Sequence, residues 1–111
     1  MAPARRGIRV TFRSRKLLDI AHTGPCFADF PHLCTAHLGC EPAHSDSLIF
    51  GRGSWHKTPD WAVAFMCHNA HVEMTAKVGG SMPREEKFYA WLRAYVRTMN
   101  YLFENAKVKV A

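Results

Sequence analysis

Between residues 26 and 71 the chain concentrates the side chains that could do chemistry. All four cysteines lie there (Cys26, Cys34, Cys40 and Cys67), with six of the seven histidines: His32, His37, His44, His56, His68 and His71. Thiolates hold zinc tetrahedrally at roughly 2.3 Å. Cys26 and Cys34 enclose seven residues, Phe27 to Leu33, and a turn at Pro31 could bring both sulfurs to one ion. That spacing is wider than the roughly two to four residues of the usual zinc knuckle, and free cysteines also serve as small buried apolar side chains, so the pair alone decides little. With Cys40 and Cys67 added, four thiolates surround one bounded segment, enough for one structural zinc.

The imidazoles form a second constellation. His44 stands in a short polar segment, Glu41-Pro42-Ala43-His44-Ser45-Asp46, at the end of an extended stretch. An isolated histidine is most often a satisfied structural side chain, although imidazole also serves as base and metal ligand near neutral pH. Cys67 and His71 stand four residues apart, so on a helix they project from one face and could address neighbouring metal positions. His68 falls on a different side and reads as an exposed bystander. Between the two histidine segments runs Gly51-Arg52-Gly53-Ser54-Trp55-His56-Lys57. Its glycines allow backbone to approach a phosphate closely, and Arg52, His56 and Lys57 supply positive charge. A flexible surface loop would have the same composition, and Trp55 either stacks on a base or anchors the loop on the core.

Few elements are available to position these groups. Ser14 to His22 reads as a short helix with Ser14 as N-cap, Leu17, Leu18 and Ala21 as apolar face, and Gly24-Pro25 as its end. Trp61 to Met66 is an apolar run of strand length after the turn signal Thr58-Pro59-Asp60. A helix from Cys67 through about Lys77 follows, with Gly79-Gly80 as its stop. The last helix is the clearest element. Ser81 and Pro83 open it, Glu85 and Glu86 suit its dipole, and Phe88, Trp91, Leu92, Tyr95, Val96, Met99, Leu102 and Phe103 keep three-four spacing as core or dimer interface. Arg84, Lys87, Arg93 and Arg97 fall on its outer surface, and Lys107 to Val110 is an edge strand or a frayed tail.

At 111 residues the chain is expected to be a single domain, 1–111, with one modest core. Its hydrophobic content of 48% argues against a disordered tail. The formal charge of +6 favours a polyanionic partner, nucleic acid or an acidic membrane surface. Residues 1–16 carry Arg5, Arg6, Arg9, Arg13, Arg15 and Lys16 with no acidic residue, an arm able to track a phosphate backbone or to remain a solvated tail. No apolar run of signal-peptide or membrane-spanning length is present, so the expectation is a soluble cytosolic protein with reduced cysteines and no membrane partner.

Together, Cys26-x7-Cys34, Ala43-His44-Ser45, Gly51-x-Gly53, Lys57-x-Pro59-Asp60 and Cys67-x3-His71 resemble the HNH, or His-Me finger, nuclease superfamily, and within it a small nuclease family of phages and prophages. The resemblance covers residues 26–77 and leaves out the N-terminal arm and the C-terminal helix, 82–105. It implies an α+β fold built on a ββα-metal motif. His44 would end the first strand, Gly51 to Lys57 would form the loop, Trp61 to Met66 the second strand, and the helix would begin near Cys67. It further implies that His44 is the general base on a water, that His71 holds a catalytic Mg²⁺ or Mn²⁺, and that Asp60 orients the base or the loop. Where relatives carry a second cysteine this chain has Ala70, so the structural zinc needs another ligand: Cys40 first, then His68 or His71. A metal-binding Asp of the wider superfamily is replaced by Ala43, and an acidic or histidine position by Thr75. The implied activity is DNA endonuclease, in a bacterial or phage-infected cytoplasm, with a homodimer conceivable through the C-terminal helix. The alternative is a zinc-stabilised DNA-binding or recombination accessory module without cleavage.

Overall fold

The computed structural model describes residues 12–45, 58–76 and 82–105. The Ser14 hydroxyl accepts from the Leu17 amide at 3.1 Å, and this cap starts α1, Arg15–Ile20. The helix tightens into a 3-10 turn, Ala21–Thr23. Gly24 comes next because the Phe65 ring packs where any Cβ would stand 2.7 Å from it. The expected single helix is therefore a short α-helix with a tighter last turn, burying Leu17 and Ala21.

Strand β1, Cys40–His44, pairs antiparallel with β2, Val63–Cys67, so that Cys40 faces Cys67 and His44 faces Val63. β2 begins two residues later than Trp61 because the Ala62 amide donates to Pro59 O at 3.0 Å, turning the chain before it can extend. Pro42 has no N–H to give, and it sits opposite Phe65, whose polar groups point the other way. The Phe65 amide donates to Thr98 Oγ1 at 3.0 Å, and its carbonyl accepts from the Phe27 amide at 2.9 Å. The outer edge of β2 is thus satisfied by a helix and by the cysteine loop, which lets the whole strand be buried.

Cys67 leads directly into α2, His68–Thr75, as its N-cap residue, and the helix stops short of Lys77 because Ala76 is already extended. The expected stop at Gly79-Gly80 and the expected edge strand at Lys107 to Val110 lie outside the described residues. Helix α3, Arg84–Glu104, begins after Pro83 with Glu85 and Glu86 in its first turn, as the sequence indicated. Its buried face differs from the expected aromatic stripe: Ala90, Trp91, Ala94, Thr98 and Leu102 are buried, while Val96 and Phe103 remain 52% and 49% exposed. Small residues win the seam because α3 crosses β2 closely, and Trp91 reaches past them to donate Nε1–H to Ala43 O at 2.8 Å. One core cluster gathers Phe30, Cys40, Ala43, Met66, Trp91 and Ala94, and a second gathers Leu17, Val63, Phe65 and Leu102. Each fully buried large apolar side chain stabilises by about 1.5–3 kcal/mol, which fixes α3 on the sheet. The result is a small α+β fold with a two-stranded sheet and a long C-terminal helix. Among the described residues no helix is long and apolar enough to cross a membrane.

Candidate functional site

The loop from Cys26 to Cys34 folds back on the end of β2, and there Cys26, His32, Cys34 and Cys67 bring four ligand atoms within 4.8 Å of one another. The Cys26 Sγ to His32 Nε2 distance is 3.8 Å, close to the roughly 3.6 Å edge of a zinc tetrahedron with bonds of about 2.3 and 2.05 Å. His32 Nδ1 hydrogen-bonds Phe30 O at 2.7 Å, so Nδ1 carries the proton and Nε2 presents its lone pair to the centre. The Cys67 amide donates to Cys26 Sγ at 3.3 Å. Burial opposes a charge on Cys67, but the amides of Thr35 and Ala70, the Thr35 hydroxyl and the Cys26 thiol outweigh it and bring its thiol down to about 6. That hydroxyl is buried with no oxygen or nitrogen partner, and a thiolate at Cys67 gives it an acceptor. Burial pushes the Cys26 thiol up. A Cys3His group of this kind could bind a metal ion such as zinc.

Cys40 is not a member of that group, nor are His68 and His71. As the first residue of β1, Cys40 is 1% exposed and belongs to the core cluster around Trp91; burial first, then the neighbouring thiols, push its own thiol up to about 12. The fourth member of the group is His32, for which the sequence carried one signal, the His-x-Cys spacing to Cys34.

His44, at the end of β1, places Nε2 at 3.0 Å from Asp60 Oδ1. Asp60 is itself fixed: its Oδ2 accepts from the Ser14 amide at 2.7 Å, and its Oδ1 accepts from an Arg13 guanidinium nitrogen at 3.0 Å. Burial works against the carboxylate, but the bonds from His44, Ser14 and Arg13 hold it below its ordinary range. Beside the pair, Thr58 Oγ1 donates to Ser45 O at 2.7 Å and the Ser45 amide to Ala62 O at 3.0 Å, clamping the chain on both sides of residues 46–57.

The expected bystander His68 shares a partner with His71. Glu41 on β1 spans both: His71 Nδ1 lies 2.8 Å from Oε1 and His68 Nδ1 lies 2.9 Å from Oε2. These bonds, with His71 the stronger cause, hold the Glu41 carboxyl below its usual range against a smaller opposing effect of burial. Nothing in the sequence pointed to Glu41, because only strand pairing brings it beside a helix about 30 residues away. Of the expected nucleic-acid contacts, Arg13 is engaged with Asp60 and Thr58 O, Arg15 pairs with Asp19 at 3.6 Å, and Lys16 is exposed. Arg5, Arg6, Arg9, Arg52 and Lys57 lie outside the described residues. Arg93 and Arg97 on α3 converge on Asp29 of the cysteine loop at 2.6 and 3.0 Å.

Set against known proteins, the chain matches no family model, no curated protein and no solved structure.

Proposed function

We propose that the chain is a metal-dependent DNA endonuclease of the ββα-metal, His-Me finger kind, with a structural zinc in the Cys3His group. The observation that carries this reading is the His44–Asp60 pair, in which Nε2 lies 3.0 Å from a carboxylate oxygen. An ionised Asp60 favours the tautomer with the proton on Nε2, leaving Nδ1 as the basic nitrogen on a side chain that is about one-third exposed. In this mechanism His44 Nδ1 takes a proton from the water that attacks phosphorus. Asp60 stabilises the imidazolium that results, and Arg13 and the Ser14 amide keep Asp60 charged and in place. His71 would hold a divalent ion, Mg²⁺ or Mn²⁺, which supplies neutralisation of the charge developing at the phosphate and leaving oxygen. The donor set suits this, since an imidazole beside an ionised carboxylate on a partly exposed surface is open to both water and substrate. DNA as substrate is supported by the +6 charge and by the basic residues near the N-terminus.

Nicking of supercoiled plasmid in Mg²⁺ and Mn²⁺ tests the reading: the wild-type chain should nick, and His44→Ala, purified identically, should not. Equal nicking by both would remove His44 from the chemistry. The second reading, a zinc-stabilised DNA-binding module without cleavage, is favoured by the pairing of His71 with Glu41, which could serve only to fasten α2 to β1. Binding of DNA with no nicking by either protein would select it.

A further inference from the structure

We infer that Glu41, His68 and His71 form a second metal site, separate from the Cys3His group, for a borderline divalent cation such as Zn²⁺, Co²⁺ or Mn²⁺. That this site holds the metal of the proposed nuclease rests on that reading; its existence does not. His68 and His71 are three residues apart on α2 and so share one side of the helix surface. A single carboxylate from the neighbouring strand engages both at once, each oxygen taking one imidazole, at 2.8 and 2.9 Å. Two ligands bound at about 2.1 Å and at right angles stand roughly 3.0 Å apart, so these nitrogen–oxygen spacings already match adjacent ligands on one ion.

All three side chains reach solvent, His68 by 67%, Glu41 by 35% and His71 by 30%, so a hydrated cation has an open approach. The three do not yet converge on one point: among the described residues, only the Cys3His group has all its donor atoms within 4.8 Å. A bidentate carboxylate would close that gap, because each of its oxygens already holds one imidazole and all three side chains reach solvent. The donor set fixes the metal class. Two imidazoles and one carboxylate suit Zn²⁺, Co²⁺ or Mn²⁺ better than Mg²⁺, which prefers oxygen and keeps its waters. One of the three positions escapes the spacing logic of the sequence, since Glu41 meets the histidines only through the fold.

Titration of the full, zinc-loaded chain with Co²⁺, followed by visible absorption, tests the site without DNA. Zinc, bound more tightly than cobalt, stays in the thiolate group. One further equivalent should bind, with weak d–d bands and no sulfur-to-cobalt charge transfer. Glu41→Gln and His68→Ala should each weaken that step about tenfold or more while keeping one bound zinc, which certifies the fold. Failure to bind a second equivalent, charge transfer from sulfur in that step, or unchanged affinity in Glu41→Gln would each overturn the inference. Cobalt binding through Glu41 by a chain that nicks no plasmid would leave this site standing and remove the nuclease. Nicking by a chain with no second site would do the reverse.

Discussion

In the candidate metal group His32 takes the place that the cysteine count assigns to Cys40. Three of the four cysteines, Cys26, Cys34 and Cys67, stand together in that group. Cys40 stands apart from the group, because strand pairing draws it into the core. His32→Ala should therefore release zinc and lower stability by about 2.7 kcal/mol or more, the linkage value when metal exceeds its Kd a hundredfold. Cys40→Ser should keep one zinc per chain. Metal content after dialysis and the melting temperature check both, and zinc loss in Cys40→Ser with retention in His32→Ala would reverse the assignment. The His44–Asp60 pair was half legible: each residue stood at the edge of a recognisable strand, but only the register between strands brings them to 3.0 Å. Glu41 was not legible, because its two partners are brought to it by a strand reversal and a helix start.

At the scale of elements, α3 does more than cover the sheet. Thr98 sits inside it, accepting the Phe65 amide at 3.0 Å and donating to Ala94 O at 2.8 Å. Three-four spacing of large apolar residues reveals the helix but not this face, since Ala90, Ala94 and Thr98 carry no hydrophobic signal and matter through their small size and one hydroxyl. Thr98→Val keeps the shape and strands a buried amide, so it should cost about 1–3 kcal/mol, whereas Thr98→Ser keeps the hydroxyl and should cost clearly less. Denaturant unfolding of the two variants checks this, and equal losses would show that packing, not the hydrogen bond, matters there. A second link joins α3 to the cysteine loop. Arg93 foremost, with help from Arg97, holds Asp29 down to about 2 from 3.8 against the opposing effect of burial. A carboxyl depressed in the folded state contributes stability above its unfolded pKa and loses it as pH falls through the folded one. The melting-temperature gap between wild type and Asp29→Asn should be constant above about pH 5 and close between about pH 4 and 2. A gap that persists at pH 2 would contradict the ion pair.

For the molecule as a whole, charge and site separate into different parts of the chain. Arg13 is committed to Asp60 and Arg15 pairs with Asp19, Lys16 is exposed, and Arg5, Arg6 and Arg9 lie outside the described residues. Deleting residues 2–11 removes those three arginines and keeps Phe12, Arg13 and Ser14, which bond Asp60. It should reduce the slope of log affinity against log salt by up to about 2.7, at about 0.9 for each phosphate that the arm no longer neutralises. An unchanged slope would make that arm a bystander.

The central claim is that His44, held by Asp60, acts as a base in phosphodiester hydrolysis. Single-turnover cleavage of one labelled DNA duplex, with affinity measured on the same duplex, tests it most directly. A base acts in the transition state, so His44→Ala should slow the cleavage step about 10²–10⁴-fold while DNA affinity stays within about twofold. A parallel fall in affinity and rate, or an unchanged rate, would contradict the account.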